Sequence, residues 1–224
     1  GTAPSGSRDG CRTHKGTCKS AMKLTDLLIL LCFIFTLYAW NTPENLAFSF
    51  QALMYGEFYT LLTAIFVHAT PVHLIGNMIF LYIFGHILED DVGALRTGYV
   101  FFTGGILSFI LSIPFYPGTK MIGASAAIFA VMAAVLLVRR PSFSIIFLSP
   151  VGPLAILFFI FNLAAIQKGA MGNTAYIAHV IGFIIGLFFG AKWNKDWEES
   201  LLYTAILLLV YIFLYNFLSA WFSA

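Results

Sequence analysis

A hydroxyl and an imidazole on separate segments can build an acyl-transfer site, and this chain offers such a pair. Ser125 lies in Gly123-Ala124-Ser125-Ala126 and His179 in Ala178-His179-Val180-Ile181-Gly182. A serine is a poor nucleophile until a neutral imidazole accepts its proton, and attack on an amide then creates an oxyanion that needs fixed donors. His73 and Asn77, four residues apart and so on one helix face, are candidates for those donors. Gly123 puts Ser125 at or near a helix start, where free backbone N–H groups and the positive end of the dipole favour negative charge. No carboxylate stands at this level, so the pair would work as a Ser–His dyad oriented by packing and hydrogen bonds. The pattern calls for neither metal nor cofactor.

The elements that must hold these residues are membrane helices. Of 224 residues 60% are hydrophobic, 17% aromatic and 10% charged, against about 45–50% apolar and about 25% charged in a soluble domain. Such a chain has more apolar surface than a globule of its size can hide. Twelve Lys plus Arg against 10 Asp plus Glu give a net charge of +2 with no basic block, which excludes a nucleic-acid binder. Apolar runs fall at Leu24–Trp40, His73–Leu88, Thr97–Ile113, Ile122–Val138, Val151–Ile166, Ala175–Ala191 and Leu201–Ala224. None alternates with period two, so seven helices are the economical reading. Runs of 16 or 17 residues reach only about 24–26 Å, short of a hydrocarbon core of about 30 Å. One end of these helices must be protein-lined or wet.

Lys and Arg set an expected orientation. With the N-terminus inside, ten of the twelve lie inside, and Lys120 and Lys168 lie outside. Gly1 to Ala21 is Gly, Ser, Thr and Arg rich, and residues 1–21 read as an added or disordered leader before a native start at Met22. Without its four cations the ratio is six to two: N-terminus cytoplasmic, C-terminus outside. With short termini and no convincing transit peptide, the expected location is a prokaryotic cell membrane. Cys11 and Cys18 lie in that leader, and a disulfide there would need an oxidising compartment. The 32-residue connection 41–72 carries Leu46, Phe48, Phe50, Phe58, Leu61 and Phe66, and is read as an interfacial, partly helical loop. The expected organisation is a helical domain over 22–192, then a linker and seventh helix over 193–224.

Depth brings the polar residues together. Counting from the charges at the inner ends, Ser125 is 14 residues before Arg139 and His179 is 13 before Lys192, about 21 and 20 Å up. His73 and Asn77 stand 16 and 12 residues before Glu89, about 24 and 18 Å up. Ala178, Gly182, Gly186 and Gly190 repeat every fourth residue beside His179, facing an Ala-rich fourth helix, and small faces let backbones approach closely. Phe129, one turn below Ser125, is then placed to lie against the imidazole. Ser108 and Ser112 are read as back-bonded to their own helix, and Asn162 as bridging helices or facing the site. His86, near Glu89, is expected to be solvated. For His68, in the loop, structural, water-holding and catalytic roles remain open.

These residues resemble a rhomboid intramembrane serine protease. His68-x4-His73-x3-Asn77 matches the family's second-helix pattern, Gly123-x-Ser125 its nucleophile motif and Ala178-His179-x2-Gly182-x3-Gly186 its sixth-helix motif, in order and spacing, from about Leu24 to Ala191. The resemblance implies an all-α polytopic membrane protein with a six-helix core plus one additional C-terminal transmembrane helix. It implies Ser125 as nucleophile, His179 as general base, and an oxyanion hole from His73, Asn77 and the Ser125 backbone N–H. Substrates would be transmembrane proteins within the bilayer, cut near helix-destabilising residues. Ala126 stands where the family commonly has Gly, and the family's first-loop Trp-Arg pair falls on Tyr59-Thr60. Two other readings use the same residues: a rhomboid-like non-catalytic protein binding membrane clients, and a polytopic transporter. The first would normally lack Ser125 or His179, and the second would carry charge within its spans. Oligomeric state is not read from the sequence.

Overall fold

The computed structural model describes residues 22–139 and 176–202, with positions 205, 206, 209, 210 and 213 beyond them. The fold is an all-α polytopic membrane protein. Pro71–Val92, Ala94–Phe115 and Tyr176–Trp193 are long and apolar enough to cross a bilayer, and Leu24–Tyr38 and Ser125–Val138 are shorter apolar helices. In chain order the helices are α1 (Leu24–Tyr38), α2 (Phe50–Met54), α3 (Thr60–Phe66), α4 (Pro71–Phe80), α5 (His86–Val92), α6 (Ala94–Ser112), α7 (Ser125–Val138) and α8 (Tyr176–Trp193). A π-helical turn, Leu81–Gly85, joins α4 to α5 in one rod. The leader 1–21, the expected fifth run Val151–Ile166 with Asn162, and the loop Lys168–Thr174 lie outside the described residues. Of the expected seventh helix, residues 201 and 202 and the positions beyond are helical and exposed.

The central helix is α7. Every residue from Ala126 to Val135 is buried, so it needs no polar face and carries none. Its partner α8 packs along it through glycines. A Cβ at Gly182 would collide with the Ala126 carbonyl oxygen, one at Gly186 with that of Ala130, and one at Gly190 would stand 2.8 Å from the Leu137 Cβ. The third helix of the group, α6, brings Gly104 against the Ala130 side chain and Ser108 toward Gly182. The small-residue stripes read from the sequence are therefore the surfaces on which α6, α7 and α8 meet.

The connection between α1 and α4 is partly helical, as its apolar content implies, and it is tied to the bundle by its backbone. Phe48 and Met121 exchange N–H···O bonds of 3.0 and 2.7 Å in an isolated antiparallel bridge, and the Gly123 N–H donates to the Ala64 carbonyl at 2.8 Å. Phe66 packs against Phe35, Phe101 and Phe102, and Phe48 stacks on Phe109. Thr60 donates to the Glu57 carbonyl at 2.7 Å and Thr63 to that of Leu46 at 3.1 Å. With Tyr59-Thr60 in place of Trp-Arg, these hydrogen bonds and ring contacts fasten the loop.

At the opposite end the charges pair. The Glu89 carboxylate accepts from the backbone N–H of Leu24 and Thr25, at 2.8 and 2.9 Å, and from the Thr25 hydroxyl at 2.7 Å. It caps α1, whose own N-cap residue Lys23 provides no side-chain bond. Lys23 meets Asp90 at 2.6 Å and Arg139 meets Asp91 at 3.4 Å. His86 is not simply solvated: its Nε2 lies 3.1 Å from Asp26 and its Nδ1 2.7 Å from the Tyr82 carbonyl.

Candidate active site

The chain reaches Ser125 through a turn that glycine makes possible. Gly123 has φ +116°, in the region side-chain-bearing residues avoid. A Cβ there would stand 2.8 Å from the His73 ring and 3.8 Å from Asn77 Nδ2. The missing side chain thus leaves the space in which His73 and Asn77 approach the turn. Ser125 is the first residue of α7; the N–H groups of a helix's first turn lack ladder partners and point toward its start.

His179, in the first turns of α8, comes to Ser125 because the α7–α8 interface carries no bulk. His179 Nε2 lies 2.6 Å from Ser125 Oγ. Phe129 lies flat against the imidazole, ring centroids 4.7 Å apart and planes within 14°, and Tyr176 meets it edge-on at 6.2 Å. A ring held between two aromatics keeps one orientation, so the hydrogen bond is set by packing as well as by its own attraction. His179 is 6% exposed, while Ser125 and His73 are half-buried. Tyr116 takes part from the loop after α6, its hydroxyl accepting the Ile177 N–H at 3.1 Å.

The α4 helix delivers the other two residues. Thr70 caps it by accepting the His73 N–H at 3.1 Å, with Pro71 in the first turn. Asn77, one turn on from His73, is 7% exposed, and its Nδ2 has no hydrogen-bond partner among the described residues. A buried amide with an unused donor, next to the turn that carries a serine, is suited to an oxygen that becomes negative during reaction. Ser108, 0% exposed, likewise has an unpartnered Oγ among the described residues, so the back-bonding expected for it is not made. Ser112 does back-bond, to the Ser108 carbonyl at 2.6 Å.

His68 lies at the centre of a hydrogen-bonded chain. The Ala124 N–H donates to its Nε2 at 3.4 Å, and its Nδ1 lies 3.3 Å from Thr36 Oγ1. Its ring meets that of His73 edge-on at 5.0 Å. Sequence reasoning missed Thr36 and Tyr116. Thr36 stands 13 residues after Lys23, about 20 Å up, so the depth count would have found it had threonine been counted. Tyr116 lies outside the apolar runs, beyond that count. Among the described residues no three His, Cys, Asp or Glu side chains converge as a metal site would require.

The family model for the rhomboid domain matches residues 55–195. The chain is similar to RHOMBOID-like protein 6, mitochondrial, of Arabidopsis thaliana, 36% identical over 43% of this chain and 32% of the relative. It is similar also to Rhomboid protease GluP of Bacillus subtilis, 32% identical over 66% of this chain and 28% of that protein, and to Rhomboid-like protein 11, chloroplastic, of Arabidopsis thaliana, 33% identical over 38% of this chain and 31% of the relative. The chain spans about a third of the length of these relatives. Two of them are named for plant organelles, so they do not favour the prokaryotic membrane expected from the sequence.

Proposed function

We propose that this chain, which belongs to the rhomboid family, is an intramembrane serine endopeptidase acting on peptide bonds in or near the transmembrane segments of protein substrates. The observation that carries the reading is the 2.6 Å approach of His179 Nε2 to Ser125 Oγ at the start of a buried helix. The protease domain would occupy 22–192, with 193–224 a linker and seventh span. The N-terminal end of α1 would be cytoplasmic and the C-terminus outside.

In this mechanism Ser125 Oγ attacks the scissile carbonyl carbon as its proton passes to His179 Nε2. The carbonyl oxygen becomes an oxyanion, met by Asn77 Nδ2, an N–H of His73 and the Ser125 backbone N–H. The imidazolium returns its proton to the amide nitrogen, the C–N bond breaks, and the amine product leaves. Water then attacks the acyl-enzyme with His179 again as base, releasing the carboxylic acid and restoring Ser125. An intact substrate helix buries its carbonyls in its own hydrogen bonds, so the substrate must unwind where it meets Ser125. Gly123, Phe129 and His68 support the site by giving the turn its shape, holding the imidazole flat, and bonding the residue before the nucleophile.

The test is cleavage of a reporter transmembrane helix by purified protein. Wild type should cut it and take a fluorophosphonate label at Ser125, while Ser125→Ala and His179→Ala should lose cleavage by about 10⁴-fold or more. Cleavage by Ser125→Ala at the wild-type rate would overturn the proposal.

A further inference from the structure

We infer that His68 is a positioning residue for the nucleophile, locking the Gly123–Ala124 turn to α1 through a one-way chain of hydrogen bonds that passes through Thr36. The inference rests on the protease reading above. Its observations are separate: the chain joins a helix remote in sequence to the residue immediately before Ser125, and every member is buried. Thr36 is 1% exposed, His68 3% and Ala124 0%.

The direction of the chain follows from donor chemistry. A backbone N–H can only donate, so His68 Nε2, 3.4 Å from the Ala124 nitrogen, must present its lone pair. The ring proton then sits on Nδ1 and donates to Thr36 Oγ1 at 3.3 Å, and the Thr36 proton goes to the Phe66 carbonyl at 3.1 Å. The Phe66 carbonyl also faces the His68 ring, and no other tautomer satisfies all three contacts. An imidazolium would turn an N–H against the Ala124 N–H. Burial, with the neighbouring His73 adding to it, pushes the His68 pKa down to about 3, which keeps the ring neutral.

The geometry also explains why this turn needs a strut. Gly123 adopts φ +116°, a conformation open to glycine in which the backbone is held by its surroundings. Two bonds hold it: the Gly123 N–H to the Ala64 carbonyl at 2.8 Å and the Ala124 N–H to His68. Only the second depends on a side chain, so only the second can be removed by substitution. The His68 ring also lies edge-on against His73, so loss of the ring frees a proposed oxyanion donor as well as the turn. The bonds of 3.3 and 3.4 Å are long, and a mis-set turn would displace Ser125 from His179 without unfolding the bundle.

The experiment compares His68→Leu, His68→Gln, Thr36→Val and Thr36→Ser in detergent, reading reporter cleavage, fluorophosphonate labelling of Ser125 and the thermal midpoint. His68→Leu should lower kcat by about 10–100-fold with KM within about twofold, in the range a misplaced reacting group costs, and should slow labelling in proportion. His68→Gln, whose amide oxygen reaches the Nε2 position, should restore at least a third of the lost rate. Thr36→Val should fall in the same direction as His68→Leu by a smaller factor, and Thr36→Ser should match wild type. The double variant His68→Leu/Thr36→Val should be no slower than His68→Leu alone, because both act through one chain. Wild-type kcat and labelling in His68→Leu, or losses that add in the double variant and track the thermal midpoint, would overturn the inference and leave the protease reading intact. A wild type that neither cleaves nor labels overturns both.

Discussion

Asn77 separates a functional from a structural role most sharply, because the two predict opposite signs. Its Nδ2 is buried without a partner among the described residues, and a buried donor left unpaired costs about 1–3 kcal/mol. An oxyanion formed at Ser125 would supply the partner this donor lacks. If that donor meets the oxyanion, Asn77→Ala should lower kcat by about 10²–10³-fold, the effect of removing one such donor. The thermal midpoint should stay within about 2 °C or rise, because the orphan leaves with the side chain. Parallel kinetics and thermal denaturation check this; a large drop in midpoint with kcat unchanged would make Asn77 structural. Ser125, His179, His73 and Asn77 could be read from sequence because polar groups are scarce in membrane helices, and counting from charged ends gives each a depth. The partners of His68 were not read: one is a backbone N–H, and the other, Thr36, stands at the right depth but is a residue type the count passed over.

At the scale of helices, the site depends on how closely α7 and α8 approach. A Cβ at Gly186 would run into the Ala130 carbonyl, which is backbone and cannot rotate away. Gly186→Ala must push the helices apart two turns below His179 or bend one of them. Such overpacking costs about 1–3 kcal/mol, and cleavage should fall at least about tenfold as Ser125 and His179 separate. Gly76→Ala is the control, since nothing lies within 4 Å of a Cβ there; in a helix that change should stabilise by up to about 1 kcal/mol. Denaturation midpoints of the two variants should therefore move in opposite directions, and activity should fall in Gly186→Ala alone. The stripe itself was legible as a four-residue period. Gly123 marked the start of α7 at Ser125 as well, although the apolar run alone begins at Ile122. The turn at Gly123 and the bonds from Ala64 and His68 hold Ile122 to Ala124 out of the helix, and these are long-range contacts that periodicity does not encode.

For the molecule as a whole, charge and chemistry occupy opposite ends. Glu89, Asp90 and Asp91 at the end of α5 bind the start of α1 and the end of α7, and Arg96 lies 5.6 Å over the Trp193 ring. Ser125, His179, His73 and Asn77 gather toward the other end, beside the loop that precedes α4. The polarity of the bundle follows from cost: ionised groups belong where headgroups and water can reach them, and a proton-transfer site needs water without facing the inner charges. The excess of Lys and Arg at the charged end is the ground for the proposed cytoplasmic side of that end. Leu95 lies in the first turn of α6 and Thr119 in the loop beyond its other end, and both are exposed. In a background with Cys11, Cys18 and Cys32 replaced by Ala, Thr119→Cys should react with a membrane-impermeant maleimide in intact cells, and Leu95→Cys only after permeabilisation. The reverse pattern would invert the proposed orientation and place Ser125 nearer the cytoplasm. Labelling of both from one side would mean that α6 does not cross the bilayer, and the depth argument that joins Ser125 to His179 would lose its footing.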